Sequence, residues 1–141
     1  MAILFFNEDI KFNLTQKKLL KSWIKQVIAN ENKICDSINF IFTSDKFLLE
    51  INKKFLSHNY FTDIVTFNYC TDNLISGDIY ISLETVKNNS ISFNVSMIEE
   101  LYRVMVHGVL HLIGYNDSNE LEKSRMREKE DFYLDRLKNL S

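Results

Sequence analysis

With 141 residues, 45% of them apolar and 26% charged, the chain has the length and balance of one soluble globular domain with a buried core. Its net charge of −2 excludes a globally basic nucleic-acid binder, so any contact with nucleic acid has to come from a local patch. No apolar run approaches the roughly 18–20 residues that cross a bilayer, and the opening MAILFFNEDIKFN, with no basic start and with Glu8 and Asp9 close by, is not the pattern of a secretory leader.

The chain has no proline and only three glycines, so the elements are read from periodicity rather than punctuation. Ile3 to Phe6 reads as a short edge strand. Thr15 is placed to cap a helix whose apolar positions Leu19, Leu20, Trp23, Ile24, Val27 and Ile28 keep helical spacing. Lys17, Lys18, Lys21 and Lys25 fall on its other side, which reads as a solvated face before it reads as an RNA patch. Ser37 to Thr43 alternates as a strand. Ser44-Asp45 then starts a second helix through Phe47, Leu48, Ile51 and Phe55. Asp63 to Tyr69 and Gly77 to Ser82, rich in β-branched and aromatic residues, are two further strands.

Ser96 and Glu99 form a capping box that opens a helix running to about Ile113, and Gly114 ends it because glycine readily takes a left-handed conformation. A last, charge-rich helix is expected from about Ser118 to Leu140. Interleaved helices and strands point to an α/β or α+β layer fold with a small mixed sheet. Cys35 and Cys70 carry neither a disulfide nor a zinc-knuckle spacing, and two buried thiols in a reducing cytoplasm are expected.

The stretch HGVLHLIGYND, residues 107 to 117, holds two of the three histidines. Four residues is about one helical turn, so His107 and His111 project from one face. After Gly114 the chain can turn back and bring Asp117 to the same place as a third, anionic donor. Zinc takes nitrogen and carboxylate ligands in tetrahedral array, with water completing a three-donor site. The spacing leaves two readings open: a metal centre, or an amphipathic helix end that contains histidines.

HGVLHLIGYND, together with GDIYIS and TDIVTF upstream, resembles the YbeY family of bacterial single-strand-specific endoribonucleases, whose hallmark is H-G-x-L-H-L-x-G-Y-D-H. The resemblance also takes in Ile51-Asn52, Thr62-Asp63 through Phe67, Gly77-Asp78-Ile79 and Met126. It implies a single α+β domain over residues 1–141, a small mixed sheet packed by helices, and a metal site on a central helix and the turn after it. It further implies one zinc ion per chain, a cytoplasmic setting, and a role in small-subunit ribosomal RNA 3′-end maturation and ribosome assembly. Ribosomal RNA and the small ribosomal subunit would be the partners.

Three positions depart from the family pattern. Asp117 stands where the third metal histidine is expected; a carboxylate keeps the site but makes harder ions such as Mn²⁺ more competitive. Leu56 replaces an arginine, after the aromatic Phe55, that helps engage or cleave RNA. His58, two residues on, could hydrogen-bond a phosphate and is the candidate catalytic residue, against the plainer reading of a surface histidine. Phe61 replaces a proline before Thr62-Asp63.

Zinc peptidases of the H-E-x-x-H type place a glutamate directly after the first histidine, and Gly108 occupies that position here. An ion with three protein ligands and one open position instead suits phosphodiester cleavage, by polarising a phosphoryl oxygen or acidifying water. Glu100, about two turns before His107 on the same face, is the candidate carboxylate behind a ligating imidazole. Asp78 reads as a turn residue and Cys70 as a core thiol. Two other readings are a ribosome-assembly factor with a structural zinc and little nuclease activity, and a metal-dependent hydrolase of another substrate.

Overall fold

Among the described residues, 2–56 and 62–140 of a computed structural model, four strands and five helices form. The strands β1 (Ala2–Asn7), β2 (Ile34–Thr43), β3 (Ile64–Asn68) and β4 (Leu74–Ser82) make one sheet in the order β1-β2-β4-β3. β1 pairs with β2 and β2 with β4 in parallel, and β3 runs antiparallel to β4. The sheet is mixed, and Ile3 to Phe6 does lie on an edge strand.

The pleat sorts the side chains. Ile75, Ile79 and Ile81 of β4 join Ile38, Phe40 and Phe42 of β2 in the main core. Tyr80 turns to the opposite face, where α2 (Asp45–Leu56) lays Leu48 and Ile51 against Val65. On the main-core side, α1 (Lys17–Asn30) and α4 (Met97–Ile113) pack on the sheet, backed by α3 (Leu83–Ser92) and α5 (Glu120–Leu140). Trp23 Nε1 donates to the Tyr133 carbonyl at 2.8 Å and ties α1 to α5. This is an α+β layer fold.

α4 carries the chemistry, and its ends are set as the capping pattern predicts. Ser96 Oγ accepts from the Glu99 amide at 3.1 Å, and Gly114, at φ 125°, ends the helix by donating to the Leu110 and His111 carbonyls. Gly108 lets the helix approach the sheet: a Cβ there would stand 2.8 Å from Ile64 Cδ1 and 2.9 Å from Ile79 Cγ2. The helix face flanking the two histidines, at Gly108, is therefore pressed onto β3 and β4.

Several expectations need correcting. Thr15 is not the cap of α1; the chain enters that helix through Gln16 in a left-handed conformation, with no side-chain cap, so Thr15 lies one residue too early. α3 has no counterpart in the sequence reading: it buries only Leu83, Val86 and Ser90, too sparse a stripe to register as helical, and Ser82 caps it at 3.3 Å from the Thr85 amide. β2 starts before Ser37, because a bulge between Cys35 and Ile38 breaks the alternation. Asp78 is a strand residue that accepts from Asn39 Nδ2 at 2.9 Å across β2 and β4. Cys35 is buried, but Cys70 is only half-buried, its sulfur set among the Ser76 backbone and the Leu112 carbonyl.

Lys17, Lys18 and Lys25 are exposed, whereas Lys21 is half-buried with its ammonium 5.9 Å from the centre of the Phe5 ring. His58, Phe61 and the Leu56 side chain lie outside the described residues. No helix among the described residues is long and apolar enough to cross a membrane.

Candidate metal centre

His107 and His111 rise from one face of α4, and the turn after Gly114 returns Asp117 beside them. The two Nε2 atoms are 2.9 Å apart, and each is 3.4 Å from Asp117 Oδ2. For bonds of about 2.0–2.1 Å, tetrahedral ligand atoms stand about 3.4 Å from one another. The triad therefore has nearly the span of three corners of such a site, and these donors could hold one metal ion.

The ring nitrogens facing away explain why the inner ones converge. His107 Nδ1 is 2.6 Å from Glu130 Oε2, and His111 Nδ1 is 3.0 Å from the Tyr115 carbonyl oxygen. A carboxylate and a carbonyl only accept, so both Nδ1 atoms donate, and both Nε2 atoms of neutral rings present lone pairs to each other. Two lone pairs at 2.9 Å repel unless a proton or a cation lies between them. A metal held by both nitrogens would satisfy them, as would a single shared proton, so the fit to a metal rests on the span of the three donors.

Electrostatics separates the two rings. Burial pushes the His107 imidazolium down, but the hydrogen bond and charge of Glu130, with Asp117 and Asp63, more than reverse this and hold it above the ordinary value. His111 is held below the ordinary value by burial and by its positively charged neighbour His107. His107 is thus the ring on which a proton competes with a metal.

Glu130 is the carboxylate on the His107 ring, not Glu100. It is 5% exposed, and its other oxygen accepts from Arg103 at 2.8 Å, while Arg103 also donates to Asp131 at 2.7 Å. Glu100 is buried nearby and lines, with Asp63, Arg103, Arg127, His107 and Asp117, a cavity of about 310 Å³ beside the triad. Burial and the neighbouring Asp63 charge push the Glu100 carboxyl up; burial likewise pushes up Asp63, with Glu130 and Asp117 adding to the effect against His107.

Sequence reading missed Glu130, Asp63 and Arg103. A signal for Glu130 was present: it stands on the one buried stripe of α5, Met126-Glu130-Tyr133-Leu137, where a lone acid among apolar residues needs a partner. The candidate catalytic residue His58 lies outside the described residues.

Fold and triad together define the class: an α+β protein with a His-His-Asp group on a helix and the following turn that could hold one metal ion beside an open cavity. Residues 3–138 match the family described as Endoribonuclease YbeY. Two proteins named Endoribonuclease YbeY are each 47% identical to the chain. The one from Amoebophilus asiaticus matches over 94% of this chain and 90% of its own. The one from Bacteroides fragilis matches over 92% and 94%. The solution structure of TM1509 from Thermotoga maritima superposes with a TM-score of 0.67 at 28% identity, covering 96% of this chain and 89% of that one. The chain belongs to the endoribonuclease YbeY family, a family of hydrolases.

Proposed function

We propose that the chain is a single-strand-specific endoribonuclease that depends on one zinc ion, with Mn²⁺ as a competent substitute. We further propose that it acts on the 3′ end of small-subunit ribosomal RNA during ribosome assembly in the cytoplasm. The observation that carries this reading is the convergence of His107 Nε2, His111 Nε2 and Asp117 Oδ2 beside a cavity walled by arginines and carboxyls. When bound, the ion supplies Lewis acidity toward a phosphoryl oxygen and lowers the pKa of water to about 7.

The chain's own residues prepare that chemistry. Glu130 and the Tyr115 carbonyl fix the tautomers, so each histidine offers Nε2. Asp117 contributes a negative oxygen and is 43% exposed, which leaves its side of the triad reachable by a substrate. Arg127, exposed at the cavity rim, places positive charge where a phosphodiester would sit. Asp63 and Glu100, raised as described, hold a proton more readily than ordinary carboxyls and line the same cavity, where either could supply one to the leaving oxygen of a bound strand.

A structural zinc site is closed by four protein donors, whereas among the described residues this group has three. The test is elemental analysis of protein purified without added metal, followed by cleavage of single- and double-stranded RNA before and after chelation. One equivalent of zinc and metal-dependent cutting of the single strand are expected. Tightly bound metal without cleavage would overturn the nuclease reading in favour of an assembly factor with a structural zinc, which Leu56 in place of an arginine favours.

A further inference from the structure

Asp117 and the carbonyl that orients His111 both belong to the turn after α4, so whatever fixes that turn fixes two parts of the triad. Apart from the Tyr115 amide, which donates to the Leu110 carbonyl at 3.0 Å, the packing of the Tyr115 ring on the core, and the Ser118 amide, which donates to Glu122 Oε1 at 3.0 Å, the turn has little to rest on. Gly114 has a positive φ and nothing within 4 Å of where a Cβ would be, and Asn116 is exposed. Tyr115 is the anchored residue, and it is held at both ends. Its carbonyl takes the His111 Nδ1 proton at 3.0 Å, and its phenol donates to Glu31 Oε1 at 2.6 Å.

Glu31, at the C-terminal end of α1, has a side chain only 10% exposed. Its second oxygen accepts from the Tyr133 phenol and from Lys129 Nζ at 3.1 Å, both on α5. Lys129 Nζ also lies 5.6 Å from the centre of the Tyr115 ring, and Asn30 Nδ2 donates to the Tyr133 phenol at 2.9 Å. One carboxylate thus locks the turn to two helices at once. Burial pushes the Glu31 carboxyl up, but these three donors outweigh it and hold the group below the ordinary range, as a fixed anion.

We propose that Glu31 is a positioning residue for the metal centre: by holding the Tyr115 phenol it sets the turn that orients His111 and presents Asp117. This rests on the reading of the triad as a metal site. Through Glu31, the end of α1 governs how tightly a divalent cation is held, although no atom of α1 belongs to the triad. Outer partners of metal ligands typically change affinity by about 10–100-fold when removed, and one acting through a turn should fall near the lower figure.

The network itself separates positioning from general stabilisation, because Tyr115 and Tyr133 donate to the same carboxylate but only Tyr115 continues to the triad. The experiment measures Co²⁺ affinity and the visible absorption of the Co²⁺-loaded protein for the parent, Glu31→Ala, Glu31→Gln, Tyr115→Phe, Tyr133→Phe and Asp117→Ala. Thermal melting of the metal-free proteins serves as the fold control. Tyr115→Phe and Glu31→Ala should each weaken Co²⁺ binding by about tenfold and alter the spectrum. Glu31→Gln, whose single oxygen can serve either the Tyr115 phenol or the Lys129 and Tyr133 pair, should fall between Glu31→Ala and the parent, and Tyr133→Phe should bind within about twofold of the parent. If Glu31→Ala fails to fold, Tyr115→Phe against Tyr133→Phe still decides. Equal losses in those two, or parent-like binding by Tyr115→Phe while Asp117→Ala loses the ion, would overturn the proposal alone. Parent-like binding by Asp117→Ala would overturn the metal reading beneath it.

Discussion

Replacing Glu130 with glutamine keeps the shape of the side chain and removes its charge. In the native protein its two oxygens serve two donors, the His107 ring at 2.6 Å and Arg103 at 2.8 Å. Glutamine has one oxygen and an amide group that only donates, so whichever way it turns one of these donors faces another donor. Arg103 keeps Asp131 at 2.7 Å. A hydrogen bond to a charged group is worth about 1.5–3 kcal/mol, which corresponds to metal affinity weaker by roughly 10–100-fold at alkaline pH.

The pH dependence supplies the sharper signature. Glu130 raises the His107 pKa, so in the parent a proton resists displacement and metal affinity climbs until the pH passes that raised value. In Glu130→Gln the proton is held less tightly, so the plateau is reached at lower pH although it lies lower. The two curves should converge as the solution is acidified. A competition titration against a chromogenic chelator, run from about pH 6 to pH 8.5 across the histidine range, measures both. Parallel curves, or equal affinity throughout, would refute the role assigned to Glu130.

Asp117→Ala should leave two protein donors and lose the ion, whereas Asp117→His should keep the site and shift preference from Mn²⁺ toward Zn²⁺, as competition titrations of both variants would show. Gly108→Ala sets a helix-propensity gain of about 1 kcal/mol against overpacking of about 1–3 kcal/mol where the new Cβ meets Ile64 and Ile79. Urea unfolding should read a net loss of up to about 2 kcal/mol, and a stabilised variant would show that α4 sits less closely on the sheet than described. Binding to the native state adds about 2.7 kcal/mol at a hundredfold excess over Kd, so chelation should lower the melting temperature by several degrees. An unchanged melting curve after verified removal would contradict a site preformed in the folded protein.

What the sequence disclosed was local. His107, His111, Gly114 and Asp117 lie within a few turns of chain, and helical spacing plus one glycine suffice to bring them together. The capping serine of α4 and the buried stripe of α1 were legible for the same reason. Thr15 misled because a left-handed Gln16 shifts the helix start by one residue, a backbone choice that no side-chain pattern announces. Glu100 was chosen over Glu130 because spacing within one helix is visible in sequence, while the approach of α5 to α4 is a packing outcome. Glu31 is harder still: its significance depends on α1, the turn and α5 meeting at a single carboxylate.

The pairing of the sheet has a consequence for the order in which the molecule comes together. β1 meets β2, and β2 meets β4, only after long excursions of the chain, and parallel partners so far apart close slowly against the entropy of the intervening loop. The triad and the carboxylate behind it come instead from neighbouring chain, with His107 and Glu130 only 23 residues apart. The hairpin of α4 and α5 thus closes across a shorter loop than either parallel pair, although the β3–β4 hairpin is shorter still, and a cation gripped between α4 and the turn after it is expected to act on the folding route as well as on the product. Refolding in the presence of zinc should be faster than refolding without it. If zinc instead slows only unfolding, the centre forms after the rate-limiting step, once the sheet has given α4 a surface to lie on.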